Sequence, residues 1–88
     1  MTVNGNHDDS DRLVWRVLDD EAIILDLSTG YYFSLNPVAT EIWTHLHEGR
    51  ATSEIASSIA VKYHVDVEMV RRDIDELLDE LRAANLWG

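Results

Sequence analysis

The sequence predicts an α+β fold: an N-terminal three-stranded antiparallel sheet followed by three α-helices, in the manner of a winged helix-turn-helix. Three observations predict it. Residues 12–35 hold three short apolar segments of strand length, parted by Asp19-Asp20 and by Ser28-Thr29-Gly30. Residues 37–87 carry apolar residues at helical spacing in three blocks. Between these halves, the aromatic run Tyr31-Tyr32-Phe33-Ser34-Leu35 meets Asn36-Pro37 with no intervening loop.

Residues 12–18 alternate loosely, with Leu13, Trp15 and Val17 on one face of a first strand. Asp19-Asp20 reads as a turn. Residues 21–27 follow, with Ile23, Leu25 and Leu27 on one face and Ala22 and Ile24 on the other, so this strand is the central one. Gly30 is available for positive φ in the second turn. Residues 31–35 form the third strand, since Tyr and Phe favour a pleated, half-buried surface. Tyr31, Phe33 and Leu35 share one face, and Tyr32 and Ser34 the other.

Asn36 can cap a helix, and Pro37 fits the first turn, where a missing N–H costs nothing. The first helix covers about residues 37–47, with Val38, Ile42, Trp43 and Leu46 on its inner stripe, and Gly49 ends it. A second helix begins at a Thr52 or Ser53 cap and presents Ile55, Ile59, Ala60 and Tyr63 inward. His64-Val65 is a tight connection. Asp66 caps a third helix, on which Val67, Val70, Ile74, Leu77, Leu78 and Leu81 keep helical spacing. Asn85 is a left-handed stop, with Leu86 and Trp87 folding back.

Composition bounds the function. The 88 residues form one domain, residues 12–88, behind a polar, acidic and disordered tail at residues 1–11. That tail is not a signal peptide, and no apolar run approaches the roughly 18 residues of a membrane span, so the expected location is cytoplasmic. The absence of Cys removes disulfides and thiolate metal sites. Seventeen acidic against seven basic residues, a net charge of −10, argue against nucleic acid and against an anionic membrane surface. The second and third helices look like a helix-turn-helix. The outward positions of the third helix, however, include Glu68, Asp73, Asp75, Glu76, Asp79 and Glu80, which Arg71, Arg72 and Arg82 do not offset.

The residues form no catalytic or metal constellation. His45 and His47 lie about 200° apart around a helix and do not converge on one metal. With His7 and His64 distant in sequence, the four histidines read as solvent-facing. The glycines are scattered at 5, 30, 49 and 88, so there is no phosphate loop. Ser57-Ser58 has no neighbouring base. The expectation is a protein with no catalysis, no cofactor and no metal. Arg71 and Arg72 read most simply as partners of Asp75 or Glu76, and Trp43 as core. What remains is the edge of the third strand. It is the last strand before an all-helical remainder, so unless something covers it, its outer N–H and C=O groups are unpaired, which makes the edge either a liability or a docking site for another chain.

The order Leu25-Asp26-Leu27-Ser28-Thr29-Gly30-Tyr31-Tyr32, then Leu35-Asn36-Pro37-Val38-Ala39-Thr40-Glu41-Ile42-Trp43, resembles the PqqD-like family of small peptide-recognition proteins. The Gly49 break, Ile55-Ala56, Tyr63, Val65-Asp66, Asp73 and the closing Leu77, Leu81 and Leu86 extend the likeness over about residues 12–88. The resemblance implies non-catalytic binding of the leader peptide of a ribosomally made, modified natural product. That leader would add as a strand beside residues 31–35 and be delivered to a modifying enzyme or leader peptidase. Tyr31, Tyr32, Phe33, Ser34 and Leu35 would supply the edge. Arg71, Ile74, Asp75 and Leu78, chosen by facing geometry, would supply a wall on the third helix. The chain looks more like the stand-alone recognition proteins of lasso-peptide clusters than like those serving pyrroloquinoline quinone synthesis. The rival readings are a winged-helix transcription factor and a small stabilising subunit of an enzyme.

Overall fold

A computed structural model describes residues 12–87. In order they form β1 (Leu13–Leu18), β2 (Glu21–Asp26), β3 (Tyr32–Leu35), α1 (Pro37–His47), α2 (Thr52–Tyr63) and α3 (Val67–Ala83). This is the expected α+β order, three antiparallel strands and then three helices. The tail expected at residues 1–11, with His7, lies outside the described residues. Two compact units divide within α1: one runs through Thr40, and the other begins at Glu41.

The first unit holds the sheet, in the order β1-β2-β3 with β2 central as expected. Leu18 pairs with Glu21, leaving Asp19-Asp20 as a two-residue hairpin loop. Both aspartates sit in the left-handed region, at φ 52° and 67°. That conformation matches the strand twist, and Asp tolerates it better than bulkier residues do. The register then fixes two faces. One carries Leu13, Trp15 and Val17 of β1, Ala22, Ile24 and Asp26 of β2, and Phe33 and Leu35 of β3. Ala22, Ile24 and Asp26 are buried, and Phe33 and Leu35 half-buried.

β2 stops one residue sooner than its apolar pattern implies. Leu27 was expected in the strand but lies exposed in the turn. Asp26 is the reason. Its Oδ1 accepts from the Ser28 N–H at 2.9 Å and the Ser28 hydroxyl at 2.6 Å, a local turn that competes with the ladder. Its Oδ2 takes the Arg12 guanidinium at 2.7 Å. Gly30, at φ 79°, completes the loop and donates its N–H to the Asp26 carbonyl.

The second unit is helical. Ile42, Trp43 and Leu46 of α1 are buried. The expected cap at Thr52 or Ser53 is displaced by one residue. Ala51 is the N-cap, and its methyl group has nothing to offer the helix. Half of a capping box survives, because Glu54 Oε1 accepts from the Ala51 N–H at 3.2 Å. α2 buries Ile55, Ala56 and Ile59, and α3 buries Val70, Ile74, Leu78 and Leu81. Between them His64 adopts φ 57°, and Asp66 caps α3 by accepting from the Glu68 N–H at 2.9 Å. Asn85 takes the left-handed stop, at φ 60°, and the Leu86 N–H donates back to the Leu81 carbonyl. Tyr63, expected on the inner stripe, is 39% exposed, and its hydroxyl donates to Glu41.

Candidate functional site

The first locus is the free side of β3. Which backbone groups face outward follows from one bond. The Asp26 N–H donates to the Tyr31 carbonyl at 2.9 Å, so Asp26 and Tyr31 form a hydrogen-bonded pair. Antiparallel pairs alternate between bonded and non-bonded. With Leu25 opposite Tyr32, Ile24 opposite Phe33 and Ile23 opposite Ser34, Phe33 turns its N–H and C=O toward β2. Tyr32 and Ser34 turn theirs away from the sheet. Among the described residues no strand pairs with that side. Sequence alone leaves both parities open; the structure selects Tyr32 and Ser34.

Both ends of this short strand are tied. At its start, the Asp26–Ser28–Arg12 contacts hold the turn. Asp26 is only 4% exposed, and the Ser28 hydroxyl bond, with the Ser28 N–H and the Arg12 charge, keeps its carboxyl below its usual pKa against burial, which pushes the other way. At its end, Thr40 reaches back from the first turn of α1. Its hydroxyl accepts from the Ala22 N–H at 2.8 Å and donates to the Leu35 carbonyl at 3.1 Å. The hydroxyl thus stands between two groups that a continued ladder would pair directly. Asp26 and Thr40 are buried polar residues that sequence reading passed over. An acid at a strand end and a threonine on a helix look ordinary until their partners are visible.

The structure decides which face of the strand is covered. Phe33 and Leu35 are half-buried, while Tyr32 and Ser34 are exposed. Tyr31, on the same face as Phe33 and Leu35 by alternation, is nevertheless 70% exposed. It precedes the regular strand, and its N–H donates to the Thr29 hydroxyl at 3.2 Å. On the outward face Val14, Leu25 and Tyr32 line up across all three strands, and Arg16, Ile23 and Ser34 form the next row. Val14, Leu25 and Tyr32 are all exposed, Tyr32 to 72%.

The second locus lies in the helical unit. Arg71, Ile74 and Asp75 of α3 line a pocket of about 190 Å³ together with Thr52 and Ser53 at the start of α2. Three of the four α3 residues expected from facing geometry therefore come together. Leu78, the fourth, does not line the pocket and is 8% exposed, one turn along the same buried stripe as Ile74. Thr52 and Ser53 were missed because they read as caps. With Ala51 as the cap, their hydroxyls are left beside the pocket. Arg71 pairs with Glu68, Nε to Oε2 at 3.9 Å, rather than with Asp75 or Glu76.

His47 and His64 are exposed as expected, and His45 is half-buried. His47 packs between Trp43 and Trp87, with ring centroids 4.2 and 5.1 Å away, and its Nδ1 donates to the Trp43 carbonyl at 2.8 Å. His45 contacts Glu48 at 3.1 Å. Burial pushes the Glu41 carboxyl up, but bonds from the Tyr63 hydroxyl and Lys62, with the Lys62 charge, hold it below its usual value. These contacts tie helices together. Among the described residues no three metal-ligating side chains cluster, and no helix is long and apolar enough to cross a membrane.

A three-stranded sheet with an outer strand open to pairing, followed by three helices, defines a class of small α+β binding modules. Within it, the family described as coenzyme PQQ synthesis protein D (PqqD) matches residues 21–86, and the chain belongs to that family. The chain is similar to a solved structure titled "TbiB1 in Complex with the TbiA(beta) Leader Peptide", with a TM-score of 0.80 and 39% identity, covering 86% of this chain and 88% of that one. It is also similar to "Lasso peptide synthetase B1 complexed with the leader peptide", with a TM-score of 0.79 and 26% identity, covering 83% and 86%. The likeness to lasso-type members anticipated from sequence is borne out. No curated protein matches.

Proposed function

We propose that this protein binds the leader peptide of a ribosomally made precursor as an added strand on β3. It catalyses nothing itself and presents the precursor, in the cytoplasm, to a modifying enzyme or leader peptidase. The observation that carries this reading is the outward set of main-chain groups on Tyr32 and Ser34, held in place at both ends of β3. It is supported by the two similar solved structures, each a complex with a leader peptide. An extended chain beside β3 meets an N–H and a C=O from each of these two residues, the chemistry of strand addition. Tyr31, Phe33 and Leu35 supply the rest of the edge. Arg71, Ile74 and Asp75 are proposed as side-chain contacts through their own pocket, with Leu78 backing Ile74. An acidic surface favours leaders with basic residues and speeds their encounter.

The test is amide hydrogen exchange in the labelled protein with and without the TbiA(β) leader, and with the precursor leader from the protein's own gene neighbourhood. Slowed exchange at Tyr32 and Ser34, with Phe33 already slow in the free protein, is the expected result. Binding that leaves Tyr32 and Ser34 unprotected would overturn strand addition.

A further inference from the structure

The outward face of the sheet carries an apolar row that stops in mid-air. Val14, Leu25 and Tyr32 lie side by side on β1, β2 and β3, and their exposure is greatest at the open edge. The adjacent row, Arg16, Ile23 and Ser34, is polar at the same edge. A strand laid beside β3 has no freedom in what it sets next to these two residues. Its side chains alternate between faces, so one stands beside Tyr32 and the one two positions away beside Ser34. The residue between them falls on the inner face, beside Phe33.

We infer that Tyr32 is a specificity-determining residue: it selects peptides with an aromatic or branched aliphatic side chain at the position opposite it. The position opposite Ser34 takes a small or polar residue. This rests on the strand-addition reading and goes beyond it, because strand addition alone reads no side chain on the outer face. The chemistry is that of cross-strand pairs. An apolar partner beside Tyr32 extends the Val14–Leu25–Tyr32 row and covers a ring otherwise left in water. The occupant is the peptide itself, since the ladder brings it there in register.

The experiment selects a randomised twelve-residue phage-displayed library against the wild-type protein, Tyr32→Lys, Tyr32→Ala and Ser34→Pro. Circular dichroism checks that each is folded, and Tyr32 and Ser34 are exposed enough to change without unfolding the sheet. The wild-type pool should converge on one apolar position with a small or polar residue two places away. The Tyr32→Lys pool should replace that apolar position by Asp or Glu and keep the rest. Truncating the apolar residue of a selected peptide to Ala should weaken wild-type binding about two- to fivefold and leave Tyr32→Ala binding unchanged. Identical pools from wild type and Tyr32→Lys, with binding weakened in Ser34→Pro, would overturn the role of Tyr32 while leaving strand addition standing. Selected peptides that bind Ser34→Pro as tightly as wild type would overturn strand addition and this inference with it. So would a wild-type protein that enriches nothing.

Discussion

Proline in place of Ser34 should leave the protein folded and strip it of most of its peptide affinity. The Ser34 N–H points away from β2, so no ladder bond within the sheet is lost. Edge strands accept proline when the missing N–H faces outward, and the extended conformation it imposes on Phe33 is the one a strand already has. In the complex, the peptide carbonyl that met this N–H is left unpaired. That costs about 1–3 kcal/mol, a loss of roughly 5- to 140-fold in affinity. Ser34→Ala is the control, since its exposed side chain is worth within about ±0.5 kcal/mol; the difference between the two isolates the N–H. Tyr32→Pro against Tyr32→Ala repeats the measurement one pair along. Phe33→Pro is the opposite case. It removes a bond to β2 and a half-buried ring together, at a cost of order 4–8 kcal/mol, against a total stability of roughly 4–13 kcal/mol for a chain of this length. Titration calorimetry with the cognate leader reads affinity, and circular dichroism reads folding. If Phe33→Pro folds and Ser34→Pro does not, the parity deduced from the Asp26–Tyr31 bond is wrong. If every folded proline variant binds like the parent, the peptide is not an added strand.

Trp43, wholly buried, should cost about 3–5 kcal/mol on truncation to Ala; a variant with an unchanged melting temperature and lost peptide binding would make Trp43 part of the site instead. The Asp26 carboxyl is held below its usual pKa, so it contributes stability above its unfolded value and loses it as pH falls through the folded one. Melting temperatures taken from about pH 5 down to about pH 2 should therefore fall more steeply in the parent than in Asp26→Asn, and parallel curves would refute the role. Duplex DNA should not be retained near 100 mM salt despite the helix-turn-helix order, because α3 bears Glu68, Asp73, Asp75, Glu76, Asp79 and Glu80; tight, salt-sensitive binding would count against the whole functional reading.

The elements themselves were legible because local chemistry announces them. Asn36-Pro37, Asp66 and Asn85 each act where their residue type acts best, and the apolar pattern of 21–27 on both faces marks a central strand that proves central. The departures come from particular side-chain hydrogen bonds, local and distant, that an apolar pattern does not carry. Leu27 leaves the strand because Asp26 bonds to Ser28 and Arg12. Tyr63 turns outward because Glu41, 22 residues away, takes its hydroxyl. The cap of α2 falls on Ala51, the weakest candidate, leaving Thr52 and Ser53 to line a pocket rather than to cap. At the edge, periodicity separates Tyr32 and Ser34 from Phe33 but says nothing of which pair turns its N–H outward. That parity is a property of pairing, and it became readable only through one hydrogen bond across the β2–β3 turn.

The same parity limits what the backbone alone can do for a bound peptide. Two residues with outward groups offer an antiparallel strand four main-chain bonds at most. At about 0.5–1.5 kcal/mol each, these supply roughly 2–6 kcal/mol, while even a micromolar complex needs about 8. The set does not grow at the next outward position, Asn36, because its carbonyl accepts from the Thr40 N–H and its side chain from the Ala39 N–H as α1 begins. The shortfall of at least about 2 kcal/mol, before any ordering cost of the peptide, falls to side chains. Register and affinity are thus divided between different atoms. On the proposed reading, the backbone of Tyr32 and Ser34 decides where the peptide lies, and side chains such as Tyr32 and Phe33 decide which peptide stays. A leader that matched the edge only as an extended chain would bind and leave within the encounter. Discrimination between leaders should therefore follow side-chain substitutions, while proline substitutions weaken all leaders alike.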